Sequence, residues 1–142
     1  MIVADANLIV YLFLSGEHSS QAETILAKDP EWAAPLLWRS EFRNVLVAYL
    51  RKGIFDLAVG NQIMDEAMLL MAGREYEVAS LSVLSLAADS GCSAYDCEYV
   101  ALAQDLGCSL VTLDRQILER FPEIAVSLVD YAGDEGKTPH SG

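Results

Sequence analysis

Short apolar runs alternate with longer amphipathic stretches along almost the whole chain, and this alternation restricts the fold more than any other feature. Ile2 to Asp5, Glu31 to Pro35, Tyr76 to Val78, Ser109 to Leu113 and Val126 to Val129 read as short extended segments. Helical patterns fill the intervals: Asn7 to Leu14, Ser19 to Ala27, Leu37 to Lys52, Asp56 to Met71, Ser80 to Asp89, Ala94 to Leu106 and Arg115 to Arg120. Strands that are apolar throughout, instead of alternating, are buried on both faces. Separated by helices, they predict an α/β fold with a parallel sheet covered on both sides. The punctuation agrees. Gly53 and Gly107 stand where helices should stop, and Asp56 and Ser93 where helices should start.

A chain of 142 residues suits one domain, here taken as residues 1–130. The stretch 131–142 has no apolar pattern and reads as a frayed tail. A domain this size buries about 70% of its unfolded surface, enough for a core without staples. The longest apolar run, Leu8 to Leu14, is far short of the roughly 20 residues that span a bilayer. It has no basic leader and no small-x-small cleavage pattern, so a signal peptide is not expected. Cys92, Cys97 and Cys108 are odd in number, lack C-x-x-C spacing, and lie far in sequence from His18 and His140. Free thiols in a reducing cytoplasm fit them better than disulfides or zinc. The net charge of −12, from 9 basic and 21 acidic residues, argues against broad non-specific nucleic-acid binding. It leaves room for an enzyme that grips through metal ions, and it suits a basic partner segment.

Four acids carry the chemistry. Asp5 ends the run Ile2-Val3-Ala4, and Asp114 ends Leu110-Val111-Thr112-Leu113. Both stand where a buried strand yields to a helix, the edge at which parallel sheets bind ligands. Each has a plain alternative as a helix N-cap. Asp96 follows Ser93 by three residues, which is also a capping box. Glu41 resists a plain account, because it shares a helix face with Leu37, Val45 and Ala48. Asp96 likewise shares one with Val100 and Ala103. Carboxylates on inward faces need a compensating charge, and a divalent cation such as Mg²⁺ supplies one. Asn7 and Thr112 are placed to orient a water or phosphate oxygen at the strand ends. Glu98 lies about 200° around the helix from Asp96 and reads as solvated or peripheral.

The segments Ile2-Val3-Ala4-Asp5-Ala6-Asn7, Arg39-Ser40-Glu41-Phe42-Arg43-Asn44-Val45-Leu46, Ser93 to Ala103 around Asp96, and Leu110 to Asp114 resemble the four acidic motifs of PIN-domain ribonucleases. The resemblance is strongest to the VapC-type toxins of toxin–antitoxin pairs and runs from Met1 to about Leu128. It implies a three-layer α/β/α sandwich with a central, mostly parallel sheet. It also implies a homodimer, Mg²⁺- or Mn²⁺-dependent RNA cleavage, and a VapB-type antitoxin covering the site. Asp5, Glu41, Asp96 and Asp114 match the acidic quartet, and Thr112 matches the polar residue that accompanies it. Whether Glu41 binds metal or acts as general base stays open in the sequence.

Substrate contacts are drawn from the basic residues. Arg39, Arg43, Arg51 and Lys52 share the helix of Glu41, and Arg115 follows Asp114. Arg39, Arg43 and Arg115 are the candidates for holding RNA phosphates. Two rivals remain: a receiver-like module with an acidic Mg²⁺ pocket, and a binding-only relative without nuclease activity.

Overall fold

A computed structural model describes residues 1–133, and every structural statement concerns those residues. The elements run β1 (Ile2–Ala4), α1 (Ala6–Phe13), α2 (Ser19–Lys28), β2 (Trp32–Pro35), α3 (Leu37–Arg51), α4 (Leu57–Met71) and β3 (Glu75–Tyr76). They continue as α5 (Ser80–Ser90), α6 (Ala94–Leu106), β4 (Leu110–Thr112), α7 (Arg115–Arg120) and β5 (Ala125–Ser127). The strands form one sheet in the order β3-β2-β1-β4-β5, with every pairing parallel. β1 is central. It sets Ile2 beside Trp32 of β2 and Val3 beside Leu110 of β4.

The chain first steps outward from β1 to β3, then crosses back beyond β1 to β4. Right-handed crossovers therefore send α1–α4 and α5–α7 to opposite faces. The contacts agree: α1 packs on α2, α3 and α4, while α5 packs on α6, and α6 spans β1, β2 and β4. This is the expected three-layer sandwich. Its core takes up the aromatic and apolar excess, with Trp32, Trp38, Phe42 and Met71 all fully buried. Along α3 the core stripe is Trp38, Phe42 and Leu46. Glu41 and Val45 stand beside that stripe, half-buried, and Ala48 is exposed. The face read from the sequence as inward is thus the rim of the core.

Near the C-terminal end two boundaries differ from the sequence reading. The last strand is Ala125–Ser127, and 128–133 is helical. The Asp130 N–H donates to Ser127 Oγ at 3.1 Å, a cap that turns Leu128 and Val129 into a helix. Tyr131 opens no frayed tail. Ala132 is buried, and Lys28 donates to the Tyr131 carbonyl at 3.1 Å while its ammonium lies 4.3 Å from the Tyr131 ring centroid. The remainder of the expected tail, 134–142, lies outside the described residues.

The short edge strand β3 is displaced toward Glu75, and an ion pair explains why. Arg39 Nε and Nη2 each donate to the Glu75 carboxylate at 2.6 Å, and Trp38 Nε1 donates at 2.7 Å. Arg39 therefore ties α3 to the sheet edge. These donors hold the Glu75 carboxyl below its ordinary range. A group depressed in the folded state adds stability above its unfolded pKa and loses it as pH falls through the folded value. Arg39→Ala is thus expected to lower the melting temperature clearly near pH 7, with the gap to wild type closing in acid as the pH falls through the depressed Glu75 pKa. Equal gaps at neutral and acid pH in thermal melts would refute the pairing's role.

The cysteines are free, with Cys92 and Cys97 buried and Cys108 half-buried. Among the described residues no helix is long and apolar enough to cross a membrane.

Candidate active site

The strand order puts a topological switch between β1 and β4, whose following connections run to opposite faces of the sheet. A crevice opens outside the carboxyl ends of such strands. Here it is an open cleft of about 440 Å³ lined by Asp5, Ala6, Asn7, Val10, Tyr11, Glu41, Val45, Asp96 and Asp114. All four carboxylates singled out from the sequence line it. They come from the end of β1, the second turn of α3, the first turn of α6 and the end of β4.

Each acid is oriented by its local structure. Asp5 caps α1: its Oδ1 accepts from the Ala6 N–H at 2.7 Å. Its Oδ2 accepts from Thr112 Oγ1 at 2.5 Å and from Asn7 Nδ2 at 3.4 Å. Thr112 is fully buried, and the same hydroxyl accepts the Asp114 N–H at 3.0 Å. One threonine thus locks the two strand ends together. Asp114 caps α7 through Oδ1, which accepts from the Ile117 N–H at 2.9 Å. At Asp96 only half of the capping box forms. Its backbone N–H donates to Ser93 Oγ at 3.0 Å, while the reciprocal bond from the Ser93 backbone N–H to its carboxylate is not made. That carboxylate is left for the cleft. Glu41 Oε1 accepts from the Tyr99 hydroxyl at 2.6 Å. Capping and the cleft are therefore compatible duties, not rival explanations.

Electrostatics couple the acids. Asp5, only 9% exposed, has its pKa pushed up to about 7, first by burial and then by the charges of Glu41 and Asp96, against the opposing Thr112 bond. Burial and the Asp96 and Glu98 charges raise Glu41, and the Tyr99 bond offsets part of this. Burial and Asp114 raise Asp96. Among the described residues the ion pairs join Met1 to Asp29, His18 to Glu17 and Arg39 to Glu75, so none neutralises the quartet.

The donors fit a hard divalent cation. They are oxygens throughout, and Asn7 adds a buried Oδ1 with no hydrogen-bond partner on the wall of the same cleft. Among the described residues, no three acidic, histidine or cysteine side chains stand close enough to make a ready cage. Magnesium does not demand one: it keeps several waters and takes one or two carboxylates together with substrate oxygens.

Two of the three basic candidates fall elsewhere. Arg39 is engaged with Glu75. Arg43 lines a separate α3–α4 groove with Leu46, Leu50 and Met64. Arg115 is exposed at the start of α7, beside Asp114. Glu98 is half-buried on a second cleft of about 490 Å³, with Leu36, Tyr76 and Leu84. Sequence reasoning passed over Tyr99, although its spacing of three from Asp96 is the helical signal for a shared face. The receiver reading needs β1 flanked by β2 and β3, as in the flavodoxin-like order. In this sheet β4 takes the place of β3, which sets that reading aside.

Comparison with known proteins agrees with this geometry. The PIN domain family matches residues 2–124. Over 126 residues the chain is 31% identical to Ribonuclease VapC3 of Pyrobaculum aerophilum, covering 87% of this chain and 96% of that protein. The crystal structure of PAE2754 from Pyrobaculum aerophilum is similar with a TM-score of 0.71 at 25% identity, over 94% of this chain and 99% of that one. A toxin–antitoxin complex from Klebsiella pneumoniae shares the fold with a TM-score of 0.68 at 18% identity, over 90% and 98% of the two chains. With the family match running nearly end to end and its acidic motifs gathered on one cleft, this chain belongs to the PIN-domain family, in its VapC branch.

Proposed function

We propose that the chain is an endoribonuclease that hydrolyses RNA phosphodiester bonds with Mg²⁺ or Mn²⁺, as the toxin of a toxin–antitoxin pair. The observation that carries this reading is the meeting of Asp5, Glu41, Asp96 and Asp114 on one open cleft without a protein cation to neutralise them. Its 31% identity to a protein named a ribonuclease supports the substrate class.

Asp5, Asp96 and Asp114 would hold the cation, one or two of them directly and the rest, with Glu41, through bound water, and Asn7 Oδ1 would be a further oxygen donor. When bound, the cation supplies charge neutralisation for the phosphate and a more acidic attacking water. Glu41, with one oxygen engaged by Tyr99 and its side chain on the cleft wall, would serve as the proton acceptor. Thr112 fixes the Asp5 carboxylate relative to Asp114. Arg115 is the basic residue best placed to meet a phosphate, and Arg43 reaches only substrate that extends over α3. The test is cleavage of single-stranded RNA with Mg²⁺ or Mn²⁺, beside EDTA and single-stranded DNA controls. Intact RNA under every metal condition refutes the reading.

A VapB-type antitoxin presenting basic residues suits both the acidic cleft and the net charge of −12. A homodimer is the further part of the reading. Leu36 and Leu84, 41% and 64% exposed, border the second cleft and gain from being covered. A monomer in sedimentation at micromolar concentration contradicts that part. The cytoplasm is the compartment consistent with three free thiols.

A further inference from the structure

Tyr99 is the largest polar side chain in the core that the proposed chemistry leaves without a role. It is 1% exposed and lies three residues after Asp96 on α6, so the two share a helix face. A buried phenol needs a partner for its hydroxyl. Tyr99 finds it on another element, donating to Glu41 Oε1 of α3 at 2.6 Å. That bond joins the two helices that carry Glu41 and Asp96. It is short, as expected for a donor facing an ionised carboxylate.

The direction of the bond is fixed. A phenol has one proton to give, and here the hydroxyl donates it to the Glu41 carboxylate, which as an ionised group can only accept. Among the described residues no other side chain bonds to that carboxylate. Glu41 therefore has one oxygen held and the other free on a residue that lines the cleft.

We infer that Tyr99 is a positioning residue: its hydroxyl pins one oxygen of Glu41 so that the second alone serves the reacting centre. The inference rests on the nuclease reading for its effect on rate, but not for its effect on metal binding. A carboxylate with one oxygen so engaged turns the other toward the cleft in a fixed direction, where it can accept from a water or meet the cation. Without the phenol the side chain regains rotamers, and the productive orientation is sampled less often.

The experiment compares wild type, Tyr99→Phe, Glu41→Gln and the double variant. Mn²⁺ affinity is measured by calorimetry without RNA, and RNA cleavage by steady-state kinetics. Tyr99→Phe is expected to lower kcat about tenfold or more, the effect of losing one bond to a charged group. KM for RNA should change by less than about twofold. Mn²⁺ affinity should fall several-fold, and in the Glu41→Gln background the same change should do nothing further. Tyr99→Leu, which also loses packing, should melt lower than Tyr99→Phe yet match its Mn²⁺ affinity. Equal losses in both backgrounds, or unchanged Mn²⁺ affinity in Tyr99→Phe, would overturn the inference. Wild type that binds Mn²⁺ but cuts no RNA sinks the nuclease reading, while the affinity comparison still decides the role of Tyr99.

Discussion

Asp5→Asn and Asp96→Asn are each expected to lower RNA cleavage at least about a hundredfold while leaving the fold intact. The two substitutions act differently. At Asp5 the amide oxygen can still accept from the Ala6 N–H, which keeps the α1 cap, while the amide N–H can donate to Thr112 Oγ1 in place of the bond it now receives. What disappears is a negative charge at the buried end of the cleft. At Asp96 the helix cap depends on the backbone N–H and Ser93 Oγ, which the change does not touch. Loss of activity with retained melting temperature therefore reports on the cleft. Asp105, exposed on the last turn of the same α6, is the matched control. Cleavage by Asp96→Asn at wild-type rates, or equal losses in Asp105→Asn, would remove the case for the quartet.

The second large effect is on stability. An acid whose folded pKa is raised binds protons more tightly when folded, so the fold loses stability as pH rises from the unfolded pKa to the folded one. For Asp5 that window runs from its ordinary value of 3.8 to about 7. Glu41 and Asp96 shift in the same direction. With EDTA present, the melting temperature is expected to fall by several degrees between about pH 4 and pH 7, and Asp5→Asn should flatten the decline. Mg²⁺ or Mn²⁺ should reverse it, by about 2.7 kcal/mol at a hundred times Kd. The gain should be larger at the higher pH, because ligands bind metal only when deprotonated. Asp96→Asn should lose most of it. A metal titration that leaves the melting curve unmoved at pH 8 would count against a cation site of any composition.

The sequence made much of this visible for simple reasons. Strands as short as Ile2–Ala4 and Leu110–Thr112 stand out because they are apolar on both faces. Helix ends were marked by residues whose chemistry acts locally: Ser93, Asp56 and Asp114 accept backbone N–H groups, and Gly107 takes a left-handed backbone. Errors arose where local pattern was ambiguous. Leu128 and Val129 extend an apolar run, yet the Ser127 cap starts a helix there. The partner of Arg39 is hidden as well, because a charge on a helix does not announce one. Glu75, remote in sequence, claims that charge. Tyr99 was silent for the same reason, since a tyrosine among apolar neighbours reads as core until its hydroxyl finds Glu41.

The sequence by itself determined which elements form, where they stop and which acids stand at strand ends, because capping, backbone preference and two-sided burial are short-range effects. Only the tertiary structure decided that β4 crosses back to lie beside β1. That crossing put Thr112 against Asp5 and opened the Asp5, Glu41, Asp96 and Asp114 side chains onto one cleft. The reason is that convergence of remote charges depends on strand order and crossover handedness, which are long-range packing outcomes that no local pattern encodes.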